Sequence, residues 1–203
     1  MAPVSATPNP ALEEYIAGPC PLFEGDVDHF YLDTKGYVTV GTGCMVPDVA
    51  SAVLLPMRGQ GTGAPAGTAT IVAEYMRVKR MPFGPKISAA SFRSAESLVL
   101  QTADRLVLRR QRASSCLADL RRLFPGFDSF PQAEQLALLD MDFNLGPNRL
   151  QHEYVHLCAA VRARDPRAAA AQCARNASDP AFAARNAWTR NRFLASSITG
   201  DHQ

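Results

Sequence analysis

The sequence predicts a mostly helical α+β protein, and three observations carry that prediction. Residues 31–40 read as two short β-rich runs around a turn. Residues 131–146 are apolar nearly all the way round a helix. Three steps of the same kind, Asn9-Pro10, Asp165-Pro166 and Asp179-Pro180, place a capping side chain before a proline, the usual opening of a helix.

In chain order, Met1–Pro8 is rich in proline, serine and alanine and is expected to be a mobile tail. Asn9-Pro10 then opens the helix "ALEEYIA", and Gly18-Pro19 stops it. Tyr31-Leu32 and Tyr37–Val40 are strand-like, and Asp33-Thr34-Lys35-Gly36 joins them with Gly36 supplying the positive φ. Residues 44–92 have no clear order; "GQGTGAPAGTAT" reads as a flexible loop between short helices. From Thr102 the chain is helical, with Leu106, Leu108, Leu117 and Leu120 expected on one face and Pro125-Gly126 ending the element. The stretch from Pro131 to Gly146 is expected to be a central buried helix closed by Pro147, followed by further helices after Asp165-Pro166 and Asp179-Pro180. The expected division is a tail over 1–8 and one domain over 9–203. Within it a hairpin lobe covers about 22–100 and a helical lobe about 101–203, with the first helix on the latter and a cleft between.

Composition narrows the function. The net charge of +2 is close to neutral. The Arg-rich run Leu106–Arg122 is a local basic face without interleaved aromatics, which does not suit a nucleic acid. No apolar run approaches the ~18 residues of a membrane span, and the N-terminus lacks the basic start and apolar block of a signal peptide. An action outside the cytoplasm would need another carrier. The five cysteines, Cys20, Cys44, Cys116, Cys158 and Cys173, contain no CxxC; reduced structural thiols are expected, with one disulfide as the alternative.

Two motifs invite chemistry. "HEYVH", His152–His156, fits the H-E-x-x-H pattern of zinc proteases. On a single helix over Leu150–Ala163, however, Leu150, Tyr154, Leu157, Cys158 and Val161 share one side, leaving His152 and His156 toward solvent. The extended motif would need glycine at 159 and histidine at 162, where the chain has Ala159 and Arg162, and no glutamate follows Glu153. No metal or cofactor is therefore expected. The second motif is "FEGDVDHFYLDTKGYVTVGTG", residues 23–43. Glu24 precedes the hairpin, Asp33 ends its first strand and Thr39 lies on its second. Folding places Asp33 and Thr39 at neighbouring positions with Glu24 expected across a cleft. Glycosidic cleavage uses such a set: one carboxyl protonates the leaving oxygen, a second carboxylate activates water, and a hydroxyl can hold that water. The plainer alternative is a capping glutamate and a turn aspartate.

The second motif resembles that of the phage-type lysozymes, glycoside hydrolase family 24, whose pattern is E-G followed by Y-x-D-x-x-G-x-x-T-x-G-x-G. It stands here as Glu24-Gly25, Tyr31, Asp33, Gly36, Thr39, Gly41 and Gly43. The wording is closest to lysozyme domains of bacterial toxins, including pesticin-like and type VI secretion effectors. The resemblance implies a lysozyme-like fold and a muramidase similar to inverting enzymes in outcome, with Glu24 as general acid and Asp33 and Thr39 positioning and activating water. "ALLDMDFNLG" is similar to the family's central helix, which implies that Phe143 and Asn144 approach the saccharide, with Gly43 also in the substrate site. "RNAWTRNRF" is similar to its C-terminal arginine helix, which implies that Arg185, or less favourably Arg192, pairs with the catalytic glutamate. Bacterial peptidoglycan is the implied substrate of a monomer that reaches the wall through a secretion system or host lysis. A secretion carrier and an immunity or inhibitor protein are further candidate partners. A catalytically weak peptidoglycan-binding module and a lytic transglycosylase are the alternatives. Three features depart from the family: Cys44 replaces a common histidine, "GPCP" (Gly18–Pro21) interrupts the helix leading to Glu24, and the segment after Cys44 is longer. That segment suits a lid, a docking surface or, as the favoured reading, a tolerated insertion.

Overall fold

A computed structural model describes residues 9–176 and 178–196. The expected mobile tail over 1–8 lies outside the described residues. The protein is α+β and mostly helical, and it divides into two compact units. One is Glu24–Gln111; the other comprises the described parts of Met1–Phe23 and Arg112–Gln203.

The Glu24–Gln111 unit is built on a three-stranded antiparallel sheet. Its strands are β1 (Val27–Leu32), β2 (Val38–Gly41) and β3 (Cys44–Met45), in the order β1-β2-β3. Tyr31 pairs with Thr39 and Leu32 with Val38, so the expected hairpin is present. Alternation sends Phe30, Leu32, Val38 and Val40 into the core. The stretch after β3, whose order the sequence leaves open apart from a loop between short helices, carries α3 (Val49–Ala52), a small pair of β4 (Arg58–Gly59) and β5 (Leu98–Val99), and α4 (Thr68–Lys79). Helix α4 begins inside the stretch expected to be loop, because Ile71, Tyr75 and Val78 recur at helical spacing and bury against this unit's core.

The other unit is helical. It contains α1 (Pro10–Ala17), most of α2 (Pro19–Glu24), and the later turns of α5 (Thr102–Leu123), a helix that runs on from Glu24–Gln111. It also contains α6 (Gln132–Leu145), α7 (Pro147–Glu153), α8 (Val155–Arg162), α9 (Pro166–Gln172) and α10 (Ala183–Ser196). Asn9 and Asp165 cap as expected, their side chains accepting the amides of Leu12 and Ala168 at 2.9 Å. Every residue of α6 from Glu134 to Phe143 is buried, so it is the central helix the sequence predicts. Helices α1 and α10 pack on it.

Several expectations are corrected. Gly146 ends α6, while Pro147 opens α7 as its first residue rather than closing the previous helix. Asp179-Pro180 opens a 3-10 turn, Pro180–Phe182, ahead of α10. Leu106 is exposed on α5; Arg109 is the buried residue of that stretch. The single helix over Leu150–Ala163 is two helices, broken at Tyr154 (φ −108°, ψ 45°). The five cysteines are thiols.

Candidate active site

Glu24 is the last residue of α2. Gly18 interrupts the preceding helix, Pro19 starts the next one, and Gly25 ends it at φ 72°, a conformation that favours glycine. "GPCP" therefore does not remove the helical presentation of Glu24; it supplies a separate short helix. The chain beyond Gly25 is held firmly. Asp26 forms ion pairs with Arg105 at 3.0 Å and Arg109 at 3.3 Å, both on α5. Asp28 bonds Arg93 and His29, and His29 Nε2 lies 2.9 Å from the Ala89 carbonyl. Burial pushes the Asp28 carboxyl up, but Arg93 and His29 together hold it below the ordinary range.

Asp33 follows β1 immediately. Its Oδ1 accepts the backbone amides of Lys35 at 2.9 Å and Tyr37 at 2.8 Å, and its own amide donates to the Tyr37 carbonyl at 3.0 Å. This is the turn aspartate of the plainer sequence reading, and it fixes the carboxyl's direction. Gly36 completes the turn at φ 80°. Thr39 lies on β2 between Tyr31 and Met45, only 3% exposed, and its hydroxyl donates to the Tyr37 carbonyl at 3.0 Å. By alternation Tyr31, Asp33, Tyr37 and Thr39 belong to one face, opposite the core-facing residues.

The register contains a bulge with a consequence for Glu24. Val27 pairs with Gly41, yet Tyr31 pairs with Thr39, so β1 uses extra residues between these points. From Val27 to Asp33 the ladder therefore advances only from Gly41 to Tyr37, roughly 13 Å at a strand's rise per residue instead of about 20 Å. The bulge shortens the path between the residue that follows Glu24-Gly25-Asp26 and the turn that holds Asp33. Glu24, Asp33 and Thr39 all belong to the Glu24–Gln111 unit. Gly43, at φ 72°, shapes the turn from β2 to β3.

The remaining predicted residues lie in the helical unit. Asn144 is half-buried in the last turn of α6. Phe143 is 1% exposed, edge-on to Tyr15 with ring centres 5.6 Å apart, under the Arg112 guanidinium; its ring is a core group. Arg185 is buried and grips Asp140 with Nη2 at 2.8 Å and Nε at 3.0 Å. Arg175 bonds the same carboxylate, and Thr189 Oγ1 lies 3.1 Å from it. Arg192 pairs with Glu14 at 3.4 Å and stacks over Trp188.

Asp142, two residues further along α6, has no such partner. It is 1% exposed, and neither carboxyl oxygen has a well-formed hydrogen bond. Burial pushes its pKa up to about 7, against which the neighbouring Cys116 thiol and the Arg112 and Arg122 charges act only partly.

His152 and His156 are exposed and stand on different helices, and Glu153 is paired with Arg149 at 2.9 Å. The i, i+4 geometry that would aim both imidazoles at one metal is thus lost. Among the described residues no cluster of His, Cys, Asp and Glu is arranged to hold a metal ion, and no helix is long and apolar enough to cross a membrane. Sequence reasoning missed Asp26 and, although the run Leu106–Arg122 that reads as a local basic face includes Arg109, it also missed the pairing arginines Arg105 and Arg109. Their i, i+4 spacing on α5 was the available signal. A scan of protein-family models finds no match to the chain, and a search of curated proteins finds none either.

Proposed function

We propose that this chain is a muramidase, a peptidoglycan hydrolase cutting the β-1,4 bond between N-acetylmuramic acid and N-acetylglucosamine. The observation that carries the reading is the union of three groups in one unit. A short helix ends in Glu24, a bulged strand leads from it, and the turn after that strand holds Asp33 on the same face as Thr39.

The chemistry follows from those groups. The Glu24 carboxyl donates its proton to the glycosidic oxygen as the bond from that oxygen to C1 breaks. The Asp33 carboxylate takes a proton from a water whose oxygen bonds C1 from the opposite side, and the product sugar carries a free, inverted reducing end. Thr39, its hydroxyl proton given to Tyr37, offers lone pairs that orient this water. In this reading Gly43 borders the saccharide, Asn144 on α6 is a further candidate saccharide-binding residue, Phe143 shapes the end of α6 from within the core, and Arg185 is a supporting residue. The lysozyme-like fold class and the toxin-type origin belong to the same proposal, as does delivery to the periplasm with a carrier or immunity partner.

One observation favours a second reading, a peptidoglycan-binding module of weak activity: Thr39 is buried, and Asp33 Oδ1 is already engaged by two amides. Clearing of a cell-wall suspension in the presence of EDTA separates the two. The muramidase clears it and Glu24→Gln does not. Binding without clearing supports the module, and full clearing by Glu24→Gln places the acid elsewhere.

A further inference from the structure

The segment between β3 and β5 is longer than the hairpin motif requires, and part of it reaches the hairpin turn. Lys79, the last residue of α4, donates from Nζ to the Gly36 carbonyl at 2.9 Å and lies 5.9 Å from the centre of the Tyr37 ring. Phe83 lays its ring against Gly36 so closely that a methyl group there would stand 2.7 Å from Phe83 Cζ. Both rings remain open to solvent, Tyr37 at 48% and Phe83 at 53% exposure. Single exposed apolar residues need no explanation. Here two rings and an ammonium meet at one turn. That turn also holds Asp33, whose Oδ1 accepts the Tyr37 amide. Met45, opposite Thr39 on β3, is 54% exposed and extends the apolar surface past the same row.

We propose that Tyr37, Phe83 and Lys79 form a glycan subsite beside Asp33 that binds an acidic N-acetylated amino sugar of the wall strand. This rests on the muramidase reading and assigns the long segment a part in substrate binding. Aromatic faces carry negative quadrupole density and attract the C–H faces of sugar rings, while presenting large rigid area. An ammonium has three donors, and Lys79 gives one to Gly36, leaving two for a carboxylate. Peptidoglycan offers both features, sugar faces and carboxylates on its stem peptides and on those lactyl groups that carry no peptide. Chitin offers the sugar faces without the carboxylates.

That contrast supplies the test. The full chain carrying Glu24→Gln, which binds without turnover, is sedimented with insoluble peptidoglycan and separately with chitin. Tyr37→Ala and Phe83→Ala should each weaken binding to both by about fivefold, and Phe83→Tyr should bind as the parent does. Lys79→Met should weaken only peptidoglycan binding and flatten its salt dependence. In the otherwise unaltered chain, the same alanine variants should raise KM with little change in kcat. Alanine variants that bind as the parent does, while Glu24-dependent cleavage persists, overturn the subsite and leave the muramidase reading standing. So does loss of binding that tracks a lowered melting temperature. Equal losses of Lys79→Met on chitin and peptidoglycan overturn the carboxylate contact. A parent chain that neither binds nor cuts peptidoglycan overturns both proposals.

Discussion

The β1–β2 hairpin and helix α6 both carry carboxylates, under opposite conditions. Asp33 sits at a half-exposed turn, held by two backbone amides that belong to the turn itself. Asp140 and Asp142 sit inside the helical unit at 0% and 1% exposure. Asp140 is matched by Arg175 and Arg185, whereas Asp142 has no strong partner and is driven toward its neutral form. A carboxyl that is to meet substrate needs access and a fixed direction, which a turn provides locally. A carboxyl in a core needs either opposite charge or a proton.

The strongest way to break this contrast is through Glu24 and Asp33. Glu24→Gln should lower wall hydrolysis by about two to four orders of magnitude with its melting temperature unchanged, since it removes a proton donor and keeps the shape. Asp33→Asn should be severe as well, and Thr39→Ala milder. Asp140→Ala is the converse case. It should destabilise the fold by about 3–5 kcal/mol in denaturant titration, because two buried guanidinium groups lose their anion. A small effect there would show that water or another anion reaches the pair.

Asp142→Asn sharpens the comparison through pH. The folded-state pKa of Asp142 is raised to about 7 from 3.8, so the folded chain keeps a proton that the unfolded chain releases. Stability present below about pH 4 is therefore lost as pH rises toward 7. The asparagine variant should melt like the parent near pH 4 and be more stable at pH 8 by about 4 kcal/mol. A parallel pair of melting curves across that range would contradict the assignment. A smaller contrast lies within the hairpin. Gly36→Ala must adopt φ 80° and displace the Phe83 ring, while Gly41→Ala meets φ 64° with nothing within 4 Å. Thermal melts should rank Gly36→Ala as the more damaging, with Gly41→Ala costing about 1 kcal/mol. The double change His152→Ala with His156→Ala should alter neither activity nor metal content, and stoichiometric zinc lost in that variant would revive the metal reading.

Elements that depend on neighbours in sequence were legible. Asn9 and Asp165 announce their helices through their own capping bonds, Gly36 announces the turn through its φ, and the apolar circumference of α6 announces burial. The same holds for the candidate site, since Asp33 and Thr39 are joined by a short turn. What escaped depends on distant partners. The pairing of Arg105 and Arg109 escaped because Asp26, about eighty residues earlier, cannot be matched to them by pattern. Tyr154 breaks a helix without glycine or proline. Phe83 and Lys79 reach the turn from more than forty residues away, so the segment offered no local sign of its destination.

The most direct test of the central claim is mass analysis of the fragments released from purified peptidoglycan by the parent chain and by Glu24→Gln. A muramidase releases muropeptides ending in a free reducing N-acetylmuramic acid, and the variant should release none. Fragments ending in 1,6-anhydro-N-acetylmuramic acid would instead show a lytic transglycosylase, and cleavage at peptide bonds, or equal release by Glu24→Gln, would contradict the account.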